Sequence, residues 1–187
     1  VSNGLYEDGY NEGSKMDEIE TARLKQLERC VPDIWEYNDV LYIGAGEYRH
    51  HFFIPLKVMH CIVTVAEIIP ENCDWIRENH KWIDGVWNGD IRDFITEEPP
   101  KFYYNSIIWS HGVETLPKSA GPEIIKKLEG LVKNGVIVHM TPFGAAGGTG
   151  NVSVWHRGDF EKLGYQTDCL GNKDERNNNL LAWKYIK

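Results

Sequence analysis

Apolar positions along the chain follow two periods, and their alternation predicts the order of elements. From residue 14 to 31, Met16, Ile19, Leu24 and Leu27 fall at roughly helical spacing behind Ser14 as N-cap, and Pro32 stops the run. This stretch predicts a helix that packs one face on a core. Val40-Leu-Tyr-Ile43 is a short continuous apolar run that breaks at Gly44-Ala-Gly46, the pattern of a buried strand turning into a loop. Between His50 and His60 an apolar segment contains Pro55, which predicts a short or kinked helix. Cys61 to Ala66 is a β-branched run of strand length ending in Glu67, and Pro70 then opens a helix carrying Trp75 and Ile76. Gly85 to Asp90 predicts a third short strand and its turn, and Phe102 to Trp109 a fourth strand after a Pro99-Pro100 linker. Pro122 starts a helix with Ile124, Ile125, Leu128 and Leu131. Lys133-Asn134-Gly135 is expected to close it just before a fifth strand, Val136 to Met140.

Strands alternating with helices over 187 residues predict a single α/β domain spanning the whole chain. Residues 1–13 lack periodicity and read as a flexible segment lying over the surface, with neither the basic region nor the apolar run of a secretory signal. If a cleft lies nearby, Tyr6 and Tyr10 are placed to close over it.

Composition narrows the class. With 42% hydrophobic and 26% charged residues the chain is globular in type, and no run approaches the roughly 18 apolar residues of a membrane span. Cys30, Cys61, Cys73 and Cys169 are scattered with no Cys-x-x-Cys pair. They read as free thiols of a reducing compartment, the cytoplasm being the expectation, with neither a zinc site nor a disulfide framework. A net charge of −8 disfavours nucleic acid, which needs a basic face to displace counterions.

Candidate chemistry concentrates where strands end. The two glycines at 44 and 46 would let a cofactor approach peptide N–H groups where a β-carbon would block it. Glu67 lies about 20 residues further on, where doubly wound folds place a carboxylate that accepts hydrogen bonds from ribose hydroxyls. Asn88-Gly-Asp90 is also good turn chemistry in its own right. Several other chemistries lack their spacings: there is no Gly-x-Ser-x-Gly, no Gly-Lys-Ser/Thr, no Tyr-x-x-x-Lys and no His-Glu-x-x-His. No metal site is expected.

From the fourth strand onward, Ser110-His-Gly-Val-Glu-Thr-Leu-Pro117, the helix after it and the Asn134-Gly135 turn before the fifth strand follow in an order that resembles the class I S-adenosylmethionine (SAM)-dependent methyltransferases. The resemblance covers roughly residues 39–187 and rests on the order of parts. Trp155 to Gly164 resembles the family's late helix, with Phe160 and Leu163 toward the sheet, and Tyr165 begins the next strand. A last strand, Leu180 to Ile186, reached through the polar turn Gly171 to Asn179, fits an antiparallel hairpin. The glycine loop departs from the family pattern, with Tyr42 in place of an acid and Tyr48 in place of a third glycine. A dinucleotide fingerprint would want a small residue where Arg49 stands.

The resemblance implies a three-layer Rossmann-like α/β fold with a mostly parallel seven-stranded sheet and an antiparallel last strand. It also implies SAM as cofactor and methyl transfer to a small or medium-sized acceptor. Gly44, Ala45, Gly46, Glu67, Ile68, Asp90, Ile91 and Ser110 are the implied cofactor-binding residues, Asp90 taking the adenine amine and Ile91 covering its ring. Catalysis there is mostly alignment in a desolvated pocket. If a base is needed, His111 is the candidate, ahead of Glu114 and His139. The glycine-rich stretch 141–152 is a candidate lid. Two other readings stand beside this one: a catalytically silent scaffold subunit, its cleft narrowed by Tyr42 and Tyr48, and an NAD or nucleotide-sugar enzyme.

Overall fold

The computed structural model describes residues 15–46, 50–96, 103–142, 150–171 and 178–187. Expectations for Ser14 as a cap, for Tyr6, Tyr10, Tyr48, Arg49 and the Pro99-Pro100 linker, and for the middle of the 141–152 stretch fall outside these residues.

Seven strands form one sheet in the order β3-β2-β1-β4-β5-β7-β6. They are β1 (Asp39–Ile43), β2 (Ile62–Glu67), β3 (Gly85–Asn88), β4 (Tyr104–Ser110), β5 (Val132–Thr141), β6 (Gln166–Leu170) and β7 (Asn179–Ile186). The first five run parallel, and β7 pairs antiparallel with both β5 and β6. This is the sheet that the resemblance implies. The helices are α1 (Lys15–Cys30), α2 (His50–Val58), α3 (Pro70–Asn79), α4 (Ile91–Phe94), α5 (Gly121–Glu129) and α6 (Arg157–Glu161).

Alternation along the central strands sorts residues between two cores, because successive side chains leave a strand on opposite faces. Val40 and Tyr42 of β1, Ile108 of β4 and Val136, Val138 and Met140 of β5 face the layer holding Leu24 and Leu27 of α1, Phe52, Phe53 and Leu56 of α2, and Ile76 of α3. Leu41, Ile43, Ile107, Trp109 and Ile137 face the opposite layer with Ile91, Ile124, Ile125, Leu128 and Phe160. A sheet covered on both faces explains why its central strands read as unbroken apolar runs.

Two boundaries differ from expectation. α5 ends at Glu129 and β5 already begins at Val132, so Lys133-Asn134-Gly135 lies inside the strand instead of closing the helix. The register against β4 shifts between Tyr104 and Ser106, and Asn134 has φ +50°, so the Asn-Gly pair forms a β-bulge. A β-carbon on Gly135 would stand 1.6 Å from the Asn105 carbonyl oxygen, so close pairing there requires glycine. The late helix is also shorter than expected, five residues, though Phe160 is buried and Leu163 packs against the same core.

α2 is short and accommodates Pro55 within it. Past its end at Val58, His60 has φ +55°, the Cys61 N–H donates to the Leu56 carbonyl at 3.0 Å and the His60 N–H to the Lys57 carbonyl at 3.1 Å, which satisfies two of its last carbonyls.

Candidate functional site

The sheet order reverses between β1 and β4, and ligands of open α/β sheets bind at the carboxyl ends of the strands at such a point. A cavity of about 310 Å³ opens there, walled by the segments that follow β1, β2, β3 and β4.

The glycine loop is held by the protein itself. Gly44 (φ +74°) donates its N–H to the Ala66 carbonyl at 2.9 Å, extending the β1–β2 ladder by one step. A β-carbon on Gly44 would meet the Ser110 carbonyl oxygen at 2.5 Å, so glycine is required here by the β4 backbone as well as by the left-handed turn. Gly46 (φ +55°) donates its N–H to Glu67 Oε2 at 2.9 Å, and Ile69 donates its N–H to Oε1 at 3.0 Å. Glu67, 4% exposed, thus joins the loop after β1 to the loop after β2. Each of its oxygens still has a lone pair to offer. The end of β3 is tied in as well: Gly89 donates its N–H to the Glu67 carbonyl at 3.0 Å, and the Asn88 amide donates to the same oxygen at 3.1 Å.

Asp90 caps α4. Its Oδ1 accepts from the Arg92 N–H at 2.8 Å and from Arg92 Nε at 2.9 Å, and its Oδ2 accepts from Nη2 at 2.5 Å. The guanidinium beside it holds its carboxyl below the usual range. Oδ1 is therefore filled and Oδ2 keeps one acceptor direction. The turn chemistry and the candidate binding role occupy the same residue without excluding each other.

β4 delivers His111 to the cavity with φ +53°, its N–H donating to the Met140 carbonyl at 2.8 Å. Its Nδ1 lies 3.4 Å from Glu114 Oε1, and its Nε2 is withdrawn from solvent. His139 sits elsewhere, fully buried among Trp109, Phe160 and Tyr165, and burial pushes its imidazole down to about 3. It stays neutral at physiological pH and does not reach the cavity.

Of the residues singled out from sequence, Gly44, Gly46, Glu67, Ile68, Asp90, Ile91 and His111 line this one cavity. Ala45 and Ser110 do not. Ala45 is buried in the layer with Tyr42 and Phe52, and Ser110 is buried at the end of β4, contributing its carbonyl oxygen behind Gly44. Tyr42 points into that same layer, its ring 5.3 Å from Phe53, so it takes no room from the cavity.

The walls also include residues that sequence reasoning missed. Ile43 and Trp109 could have been found from strand alternation, and Thr115 and Leu116 lay within the segment already noticed after β4. Asn72, in the first turn of α3, carried no signal. Among the described lining residues no lysine or arginine occurs, so the charged walls are carboxylates. Among the described residues no helix is long and apolar enough to cross a membrane.

No protein-family model matches the sequence, and no curated protein matches it either. Solved structures do. The N-methyltransferase NodS from Bradyrhizobium japonicum WM9, in complex with S-adenosyl-L-homocysteine (SAH), is similar with a TM-score of 0.65 at 16% identity, over 94% of this chain and 92% of that one. The SAH-bound magnesium protoporphyrin IX methyltransferase ChlM from Synechocystis PCC 6803 is similar with a TM-score of 0.61 at 12% identity, over 94% of this chain and 89% of that one. A SAM-dependent methyltransferase from Archaeoglobus fulgidus gives 0.64 at 15% identity, over 92% and 95%. The chain has the fold of the class I SAM-dependent methyltransferases, over nearly its full length.

Proposed function

We propose that this protein is a SAM-dependent methyltransferase acting on a small or medium-sized acceptor. The observation that carries the reading is Glu67 bonded to the Gly46 N–H inside an acid-lined cavity. In a dinucleotide site the glycine-loop N–H groups serve the pyrophosphate. Here a carboxylate already takes one of them, and a second carboxylate, Asp90, follows the end of the adjacent strand β3. Such a lining suits a ligand that has no phosphate and carries a positive sulfonium. The NAD reading has one glycine-loop N–H fewer for a pyrophosphate, and the scaffold reading loses the contribution of Tyr42.

The residues present fit the cofactor. Glu67 has a lone pair on each oxygen for a ribose diol, Asp90 has one on Oδ2 for the adenine amine, and Ile68 and Ile91 supply apolar contact for the ring. When bound, SAM supplies an electrophilic methyl group. The chain's part is to seat the acceptor against it, exclude water and, where the nucleophile carries a proton, receive that proton at His111. The acceptor enters on the side formed by His111, Thr115 and Leu116, which follow β4.

Calorimetric binding of SAH to two variants tests the reading. Glu67→Ala removes the ribose acceptor and releases Gly46, and weakens SAH at least about tenfold. Asp90→Asn, which keeps an oxygen for the Arg92 N–H and turns a donor toward the adenine amine, weakens it about tenfold. Unchanged affinity in both variants would contradict the assignment of the site.

A further inference from the structure

The first turn of α3 is pinned to Glu67 before and after Asn72. Ile69, which precedes the helix, donates its N–H to Glu67 Oε1 at 3.0 Å, and the Cys73 thiol donates to the Glu67 carbonyl at 3.4 Å. Asn72 lies between these anchors in sequence, half-buried, and lines the cavity. Two nearby asparagines spend their amides on the backbone, Asn79 donating to the Trp75 carbonyl at 2.8 Å and Asn88 to the Glu67 carbonyl at 3.1 Å. The Asn72 amide bonds none of the described residues.

A ribose diol seated on Glu67 creates a need that the carboxylate does not meet. An ionised carboxylate only accepts, so a hydroxyl that turns its proton toward Glu67 leaves its own oxygen lone pairs facing elsewhere. An acceptor taken out of water without a donor is costly. The side-chain donors Trp109, His111 and Thr115 belong to β4 and the segment after it, and β1 stands between β4 and β2. The Thr115 hydroxyl already donates to the Gly112 carbonyl at 2.7 Å. Of the described lining residues that follow β2, Asn72 alone carries a side-chain N–H. From this arrangement we propose that Asn72 is a second residue of the ribose site, its amide nitrogen donating to the oxygen of a hydroxyl whose proton Glu67 accepts. The two side chains together recognise a hydroxyl as donor and acceptor at once, and so discriminate a ribose from its deoxy counterpart. This inference rests on the proposed methyltransferase reading and adds a specificity-determining residue to its cofactor site.

The test is calorimetric titration of the whole chain, wild type and variants, with SAH and with its 2′-deoxy and 3′-deoxy analogues. Asn72→Ala weakens SAH about tenfold, and that loss disappears with the one analogue that lacks the hydroxyl the amide meets. Asn72→Asp keeps the size and an acceptor oxygen but has no N–H to give, and an acid in the first turn of a helix favours folding, so its loss of at least about tenfold reads the missing donor. An Asn72→Ala loss of equal size with all three ligands would overturn the proposal, as would SAH affinity unchanged in either variant. The two readings separate on the same titrations. No SAH binding by wild type overturns both, whereas binding that is lost in Glu67→Ala and unchanged in Asn72→Ala removes this inference and leaves the methyltransferase reading standing.

Discussion

At the scale of single residues the site is built from groups that bond the protein before they bond a ligand. Glu67 holds Gly46 and Ile69, Asp90 holds Arg92, and Gly44 makes room for a carbonyl of β4. This preorganisation means that polar groups meet an incoming molecule already oriented, with little left to order on binding. His139 shows the opposite use of a polar side chain. Buried among aromatic rings with its pKa pushed down to about 3, it stays neutral in the native state while the unfolded chain takes a proton below about 6.5. Above that value both states hold a neutral ring and this group adds no pH dependence. As pH falls from about 6.5 toward 3, native stability declines at a slope approaching about 1.4 kcal/mol per unit. Urea unfolding at pH 7 and pH 5 checks this: wild type loses about 2 kcal/mol relative to a folded His139→Phe variant over that interval. Equal losses in the two proteins would show that the ring is protonated in the native state.

At the scale of elements, most of the sheet was legible because its central strands are buried on both faces and read as unbroken apolar runs. β1, β2 and the core of β5 are cases in point. The start of β5 was not legible, since Asn134-Gly135 carries turn chemistry and the sequence cannot distinguish a helix-closing turn from a bulge that brings two backbones together. Only the paired strand shows which, through the 1.6 Å that would separate a Gly135 β-carbon from Asn105. Gly135→Ala therefore forces β4 and β5 apart at the bulge and lowers unfolding stability by about 2 kcal/mol or more, whereas Gly158→Ala, with open space around it, stays within about 0.5 kcal/mol. Equilibrium denaturation of both checks the contrast, and equal effects would place the strain elsewhere. The carboxylates at strand ends could be read from sequence because position along a strand limits where its end can project. Their partners could not. Glu67 with Gly46, and Glu114 with Thr141 and Val152, are joined by tertiary packing across separate crossovers, and no local spacing encodes that.

At the scale of the whole molecule, the fold places the carboxyl ends of four parallel strands around one cavity and lines it with acid. The net charge of −8 extends the same bias over the chain, so the field favours an approaching cation over a polyphosphate. Fold alone does not choose between these ligands, because related sheets serve both. In the proposed function the choice falls to the carboxylate that bonds the glycine loop. Its most direct test is parallel calorimetric titration of the wild-type protein with SAM, SAH and NAD. Micromolar binding of the two adenosyl-sulfur ligands with no measurable heat from NAD is the predicted result, and NAD binding at the tighter affinity, or silence from all three, would contradict it.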